Sequence, residues 1–127
     1  MLFTPTNKTI ETLKIKVYLA KNSKNQDVAV KCKLPLNDYS LMQKSNLLFR
    51  GELETLYNLK HENIVRLLGI EFQYNEVCSL IMEHIPGEPL DKFIFKYGGL
   101  NESQIQLYTK QIVNAIDYMH SKLVMHR

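Results

Sequence analysis

Lys31 closes the tetrapeptide Val28-Ala29-Val30-Lys31. A lysine on a strand beside a small residue could hold a phosphate while a flat ring slides past Ala29. The alternative is a solvated strand lysine, because lysine is seldom buried without a partner. Glu52 is the second candidate. Leu48, Glu52, Leu56 and Leu59 fall at i, i+4, i+8 and i+11, which places a carboxylate on the apolar face of a helix. That placement is costly unless the charge is paired. Lys31, on an upstream strand, is the natural partner; a rim glutamate reaching water is the other reading. Glu54 lies about 200° further round the helix and points elsewhere, with Arg50 and Asn58. A third candidate is the run from Cys78 to Gly87. There a buried strand becomes an extended linker, whose N–H and C=O groups suffice to read the edge of an adenine. A plain strand and turn fits the same residues. His126-Arg127 means nothing by itself.

These residues need elements to position them. Leu13 to Ala20 alternates, with Leu13, Ile15, Val17 and Leu19 on one face, which predicts a half-buried strand. Lys21 to Asn25 is turn chemistry. Asp27 to Lys33 alternates again, so the two runs form a hairpin. Pro35 to Ser40 is a loop, and a helix follows from about Leu41 to Leu59, widened by Phe49 and Leu53. His61-Glu62-Asn63 breaks it. Ile64 to Tyr74 and Val77 to Glu83 are strand-like, joined through Asn75. Pro86 to Pro89 is a stiff break, Leu90 to Tyr97 a short helix, and Gly98-Gly99 its end. Asn101 and Gln104 stand in capping-box positions. They open a long helix to about Lys122, striped by Ile105, Tyr108, Ile112, Ala115, Ile116 and Met119. The order of strands, helix, strands and helices predicts an α+β fold with two regions meeting near Pro86.

Composition narrows the function classes. The 127 residues are 45% apolar and 23% charged, values of a globular domain that exclude disorder, collagen and disulfide-rich scaffolds. A net charge of +3 with no dense basic stripe gives no ground for a nucleic-acid partner. Cys32 and Cys78 show no metal-ligand spacing and no secretory signal precedes them, so two thiols in a reducing, cytoplasmic setting are expected. No apolar run is long enough for a membrane span.

Taken together, the segments Val28 to Lys31, Phe49 to Gly69, Leu80 to Gly87, Tyr108 to His120 and Val124 to Arg127 resemble, in order and spacing, a eukaryotic protein kinase domain. Val17-Tyr18-Leu19-Ala20 and the link from Ile94 to Glu102 are most similar to mitogen-activated protein kinase kinase kinases. The resemblance implies an antiparallel sheet with one helix, the amino-terminal lobe, followed by the first helices of the second lobe. Its implied boundaries are a leader over 1–9, lobe and hinge over 10–85, and an incomplete second lobe over 86–127. It implies ATP binding and serine/threonine phosphorylation of a protein substrate. Lys31 would meet the α- and β-phosphates and Glu52 would hold it in place. Val17 and Ala29 would cover adenine, and Met82 would stand at the back of the pocket. Glu83 and Ile85 would offer backbone groups to its edge, with His84 pointing outward between them.

Two departures qualify this. His126 and Arg127 match the start of the catalytic loop, and its aspartate and the metal-binding segment do not follow, so no metal site is expected here. Mg²⁺ is expected only with those missing parts, and little catalysis from this chain alone. Glycines of the phosphate loop would fall at 10, 12 and 15, where the chain has Ile10, Thr12 and Ile15. A degenerate nucleotide site and a first strand lying upstream both account for that. The rival reading is a catalytically dead, pseudokinase-type interaction module in a signalling cascade, binding a scaffold protein. Its long helix, with no lobe to cover its stripe, would then invite self-association.

Overall fold

The computed structural model describes residues 13–125. The expected leader over 1–9, Ile10, Thr12, His126 and Arg127 lie outside the described residues. Two tight turns organise the strands. Asn22 accepts the Lys24 and Gln26 N–H groups on its Oδ1, each at 2.9 Å, and Asn25 takes the left-handed φ of 59°. The turn folds β1 (Ile15–Lys21) back onto β2 (Asp27–Lys33) with Val17 opposite Lys31 and Leu19 opposite Ala29. Tyr74 and Asn75, with φ of 52° and 63°, make the second turn. Two successive positive φ values suit the right-handed twist of a two-residue hairpin. They join β3 (Leu67–Gln73) to β4 (Glu76–Glu83). β4 also pairs with β2, so the antiparallel sheet runs β1-β2-β4-β3.

The strand expected from Ile64 begins only at Leu67. Ile64 and Val65 are buried in the preceding connection instead, Ile64 against Met119 and Val65 against Met82. An apolar run reads alike in a strand and in a buried link. The first helix, α1 (Tyr39–Tyr57), also starts before the expected Leu41. Asp38, read from sequence as loop, is its cap and accepts the Ser40 and Leu41 N–H groups at 2.8 and 3.1 Å. The Ser40 hydroxyl, and then the Leu41 amide, hold the Asp38 carboxyl below the usual range. Phe49, on the inner face of α1, is fully buried against Leu13, Ile15, Val77 and Leu80.

A short helix α2 (Leu90–Tyr97) stops at Gly98, whose left-handed φ of 78° lets its N–H reach the Ile94 carbonyl at 2.9 Å. The last helix, α3 (Glu102–Ser121), opens on the reciprocal Asn101–Gln104 cap anticipated from sequence. Its apolar stripe is buried only at the carboxyl-terminal end, where Ala115 and Met119 pack on Leu59 and Ile64. Ile105 and Ile112 remain 50% and 39% exposed, because no described element covers them. Tyr118 ties α3 to the α1–β3 connection. Its hydroxyl accepts the Lys60 N–H at 3.0 Å and its ring lies 5.0 Å from that of His61.

Phe49→Ala should cost about 3–5 kcal/mol in urea unfolding, whereas Phe95→Ala, at an exposed site, should change stability by under about 0.5 kcal/mol. Asp38→Ala should lower the melting temperature at neutral pH. A depressed carboxyl stabilises above its unfolded value and loses that effect as it protonates. The difference between the two chains should therefore vanish as pH falls through the folded Asp38 value, below the usual carboxylate range.

Candidate functional site

Directly opposed residues of an antiparallel pair share a face of the sheet. The pairings Val17–Lys31, Leu19–Ala29, Lys31–Leu80 and Ala29–Met82 therefore put these residues on one face. α1 crosses that face, and Phe49 and Glu52 lie one turn apart on it. Lys31 Nζ donates to Glu52 Oε2 at 2.6 Å, with the two side chains 5% and 8% exposed. The inward Glu52 is thus separated from an exposed Glu54, as the helical period requires. Phe49 supports the pair, its ring centroid 5.9 Å from Lys31 Nζ.

The face continues beyond α1. Leu13 and Ile15 are buried under Phe49, but Val17 and Leu19, on the same face, are 57% and 61% exposed. Alternation assigns a face; only a covering element makes it a core, and α1 reaches the first end alone. A buried ion pair thus borders an open apolar surface. Met82, opposite Ala29, is fully buried at its back.

At the end of β4, Glu83 and Arg66 clasp each other. The Glu83 N–H donates to the Arg66 carbonyl at 3.0 Å and its carboxylate accepts the Arg66 N–H at 2.8 Å. The Glu83 N–H is therefore engaged by the Arg66 carbonyl. Ile85 follows in an exposed extended segment, and His84, expected to point outward, is half-buried. Two features escaped the sequence reading. One is this clasp, which joins residues far apart in the chain. The other is Lys33, whose Nζ donates to Asn46 Oδ1 at 2.7 Å and sits 5.5 Å from the Phe49 ring. Its signal was the two-residue period it shares with Lys31. Burial pushes the Lys33 ammonium down from its ordinary value. Among the described residues, no group of three His, Cys, Asp or Glu could hold a metal ion, and no helix is long and apolar enough to cross a membrane.

Residues 15–127 match the protein kinase domain family. The chain belongs to that family. It is 32% identical over 114 residues to mitogen-activated protein kinase kinase kinase A of Dictyostelium discoideum. It is 37% identical over 112 residues to mitogen-activated protein kinase kinase kinase 19 of Homo sapiens. Both matches cover 87% of this chain, but the chain spans only 12% and 8% of the length of those relatives. The crystal structure of Rad53 1-466 in complex with AMP-PNP is similar at a TM-score of 0.71 and 29% identity, over 89% of this chain and 28% of that one. The four-stranded sheet with α1 against it is therefore a kinase-family architecture, and the Lys31–Glu52 pair lies at its centre.

Removing one partner of a buried pair strands the other charge. Lys31→Met and Glu52→Leu should each destabilise this kinase-family chain by about 3–5 kcal/mol in urea unfolding. The double variant should lose less than the sum of the two. Additive losses would show that the two groups do not interact.

Proposed function

We propose that the chain forms the nucleotide-binding face of a protein serine/threonine kinase of the mitogen-activated protein kinase kinase kinase type, with ATP as the nucleotide. The observation that carries this is the buried 2.6 Å Lys31–Glu52 pair at the rim of an open apolar sheet face. The donor set fits the ligand. A fixed ammonium suits phosphate oxygens, and Glu52 keeps it aimed when no ligand is present. Val17 and Ala29 offer an apolar surface to a flat base, and Met82 bounds its depth. The Glu83 carbonyl and the Ile85 N–H, which no described backbone acceptor claims, suit the edge of an adenine. The roles of the described residues are binding and orientation. Mg²⁺ would supply charge neutralisation for phosphoryl transfer, and no described residues form a site for it. His126 and Arg127 are assigned to the start of the catalytic loop on motif alone. A cytoplasmic setting belongs to the same proposal and accords with two free thiols, Cys32 and Cys78.

A specific observation favours a second reading, an interaction module without transfer activity. Ile15 stands where the resemblance expects a phosphate-loop glycine, and it is a core residue packed with Phe49 and Leu80. Its side chain serves the core, where glycine would leave bare backbone to approach a phosphate. The exposed stripe of α3 would then serve a scaffold protein or a second copy of the chain.

Isothermal titration with Mg-ATP separates the two. A hydrogen bond from a charged group contributes about 1.5–3 kcal/mol, so Lys31→Met should weaken binding roughly ten- to a hundredfold. An unchanged affinity in that variant would remove Lys31 from the site. No measurable binding by the native chain would favour the interaction module.

A further inference from the structure

A second concavity lies behind the end of α1, an open groove of about 580 Å³. Its walls are the last turn of α1, the first half of β3 and the end of α3. Lys60, Arg66 and Lys122 line it and no acidic residue does. All three are exposed, and none makes an ion pair among the described residues. Three unneutralised cations around one concavity attract a negatively charged ligand. The groove is also partly apolar, because Tyr57 and Leu68 are 65% and 49% exposed in it.

The wall formed by β3 identifies the kind of anion. β3 is an edge of the sheet. Leu67, Leu68, Gly69 and Ile70 all line the groove, although successive side chains of a strand point to opposite faces. Here β3 is both the sheet edge and irregular between Leu67 and Gly69, where the ladder slips by one residue, and its backbone borders the concavity with its side chains. No turn, loop or cap hydrogen bond among the described residues reaches Leu67 to Ile70. An unpaired edge offers a row of N–H and C=O groups that another extended peptide backbone matches. A nucleic acid has no such row.

We propose that this groove docks an extended acidic segment of a partner protein. The segment adds to the β3 edge, sets its carboxylates against Lys60, Arg66 and Lys122, and lays an apolar side chain on Leu68 and Tyr57. This surface is separate from the Lys31–Glu52 site and does not depend on nucleotide binding.

The test is fluorescence anisotropy of the chain with a fluorescein-labelled peptide of alternating glutamate and leucine. Saturable binding is expected, weakening with added salt. The triple variant Lys60→Gln/Arg66→Gln/Lys122→Gln should bind at least about tenfold more weakly, while Lys24→Gln in the β1–β2 turn should bind as the native chain does. With the native chain, a peptide N-methylated at alternate residues should lose the same order of affinity if its backbone pairs with β3. That arm holds even if the triple variant folds poorly. The proposal fails if binding is not saturable, if neither change weakens it, or if a lysine–leucine peptide or a single-stranded oligonucleotide binds as tightly.

Discussion

A buried ammonium must have a partner, and in this molecule that requirement couples the sheet to its helix. Lys31 sits in the middle of β2 with Val17 on one side and Leu80 on the other. Its side chain is only 5% exposed, so Glu52 has to come to it. That brings α1 against the sheet at one rotation about its axis, because any other would move the carboxylate off the inner face. Desolvating two charges is costly, and such a pair is weak evidence for stability by itself. What it specifies is placement: a cation held at the edge of an apolar surface before any ligand arrives.

Phe49 is the apolar half of the same device. One turn before Glu52, it fills the space under Leu13, Ile15, Val77 and Leu80 and presents its ring to both Lys31 and Lys33. The helix is thus pinned by packing and by charge at neighbouring turns, while Asp38 fixes its start. The far end of the sheet face, at Val17 and Leu19, has no such cover. The contrast along one strand, from buried Ile15 to exposed Leu19, separates a core from an open apolar surface.

Much of this was legible in the sequence where the signal was local or periodic. The Asn101–Gln104 cap is a local pair. Glu52 was distinguished from Glu54 by helical period alone, and the faces of β1 and β2 by alternation. What escaped has a physical cause. How far an apolar strand face is buried, as at Leu19, depends on a third element that periodicity does not contain. Asp38 was hidden behind a proline-containing stretch that reads as loop. Ile64 and Val65 satisfy both a strand and a buried connection. The Glu83–Arg66 clasp and the groove beside β3 arise from long-range packing, which leaves no mark on local spacing. Family likeness suggested the roles proposed for these residues; the geometry shows which of them lie together.

In the function proposed above, the Lys31–Glu52 pair holds a nucleotide's phosphates beside an apolar base site. Its most direct test is NMR of the chain with lysine side-chain nitrogens labelled, titrated with ATP and with adenosine. ATP should shift the Lys31 Nζ resonance saturably and also move the Glu83 and Ile85 amides. Adenosine, which lacks phosphates, should move those amides while leaving Lys31 Nζ in place. ATP shifts that bypass Lys31, or none at all, would remove the Lys31–Glu52 pair from nucleotide binding.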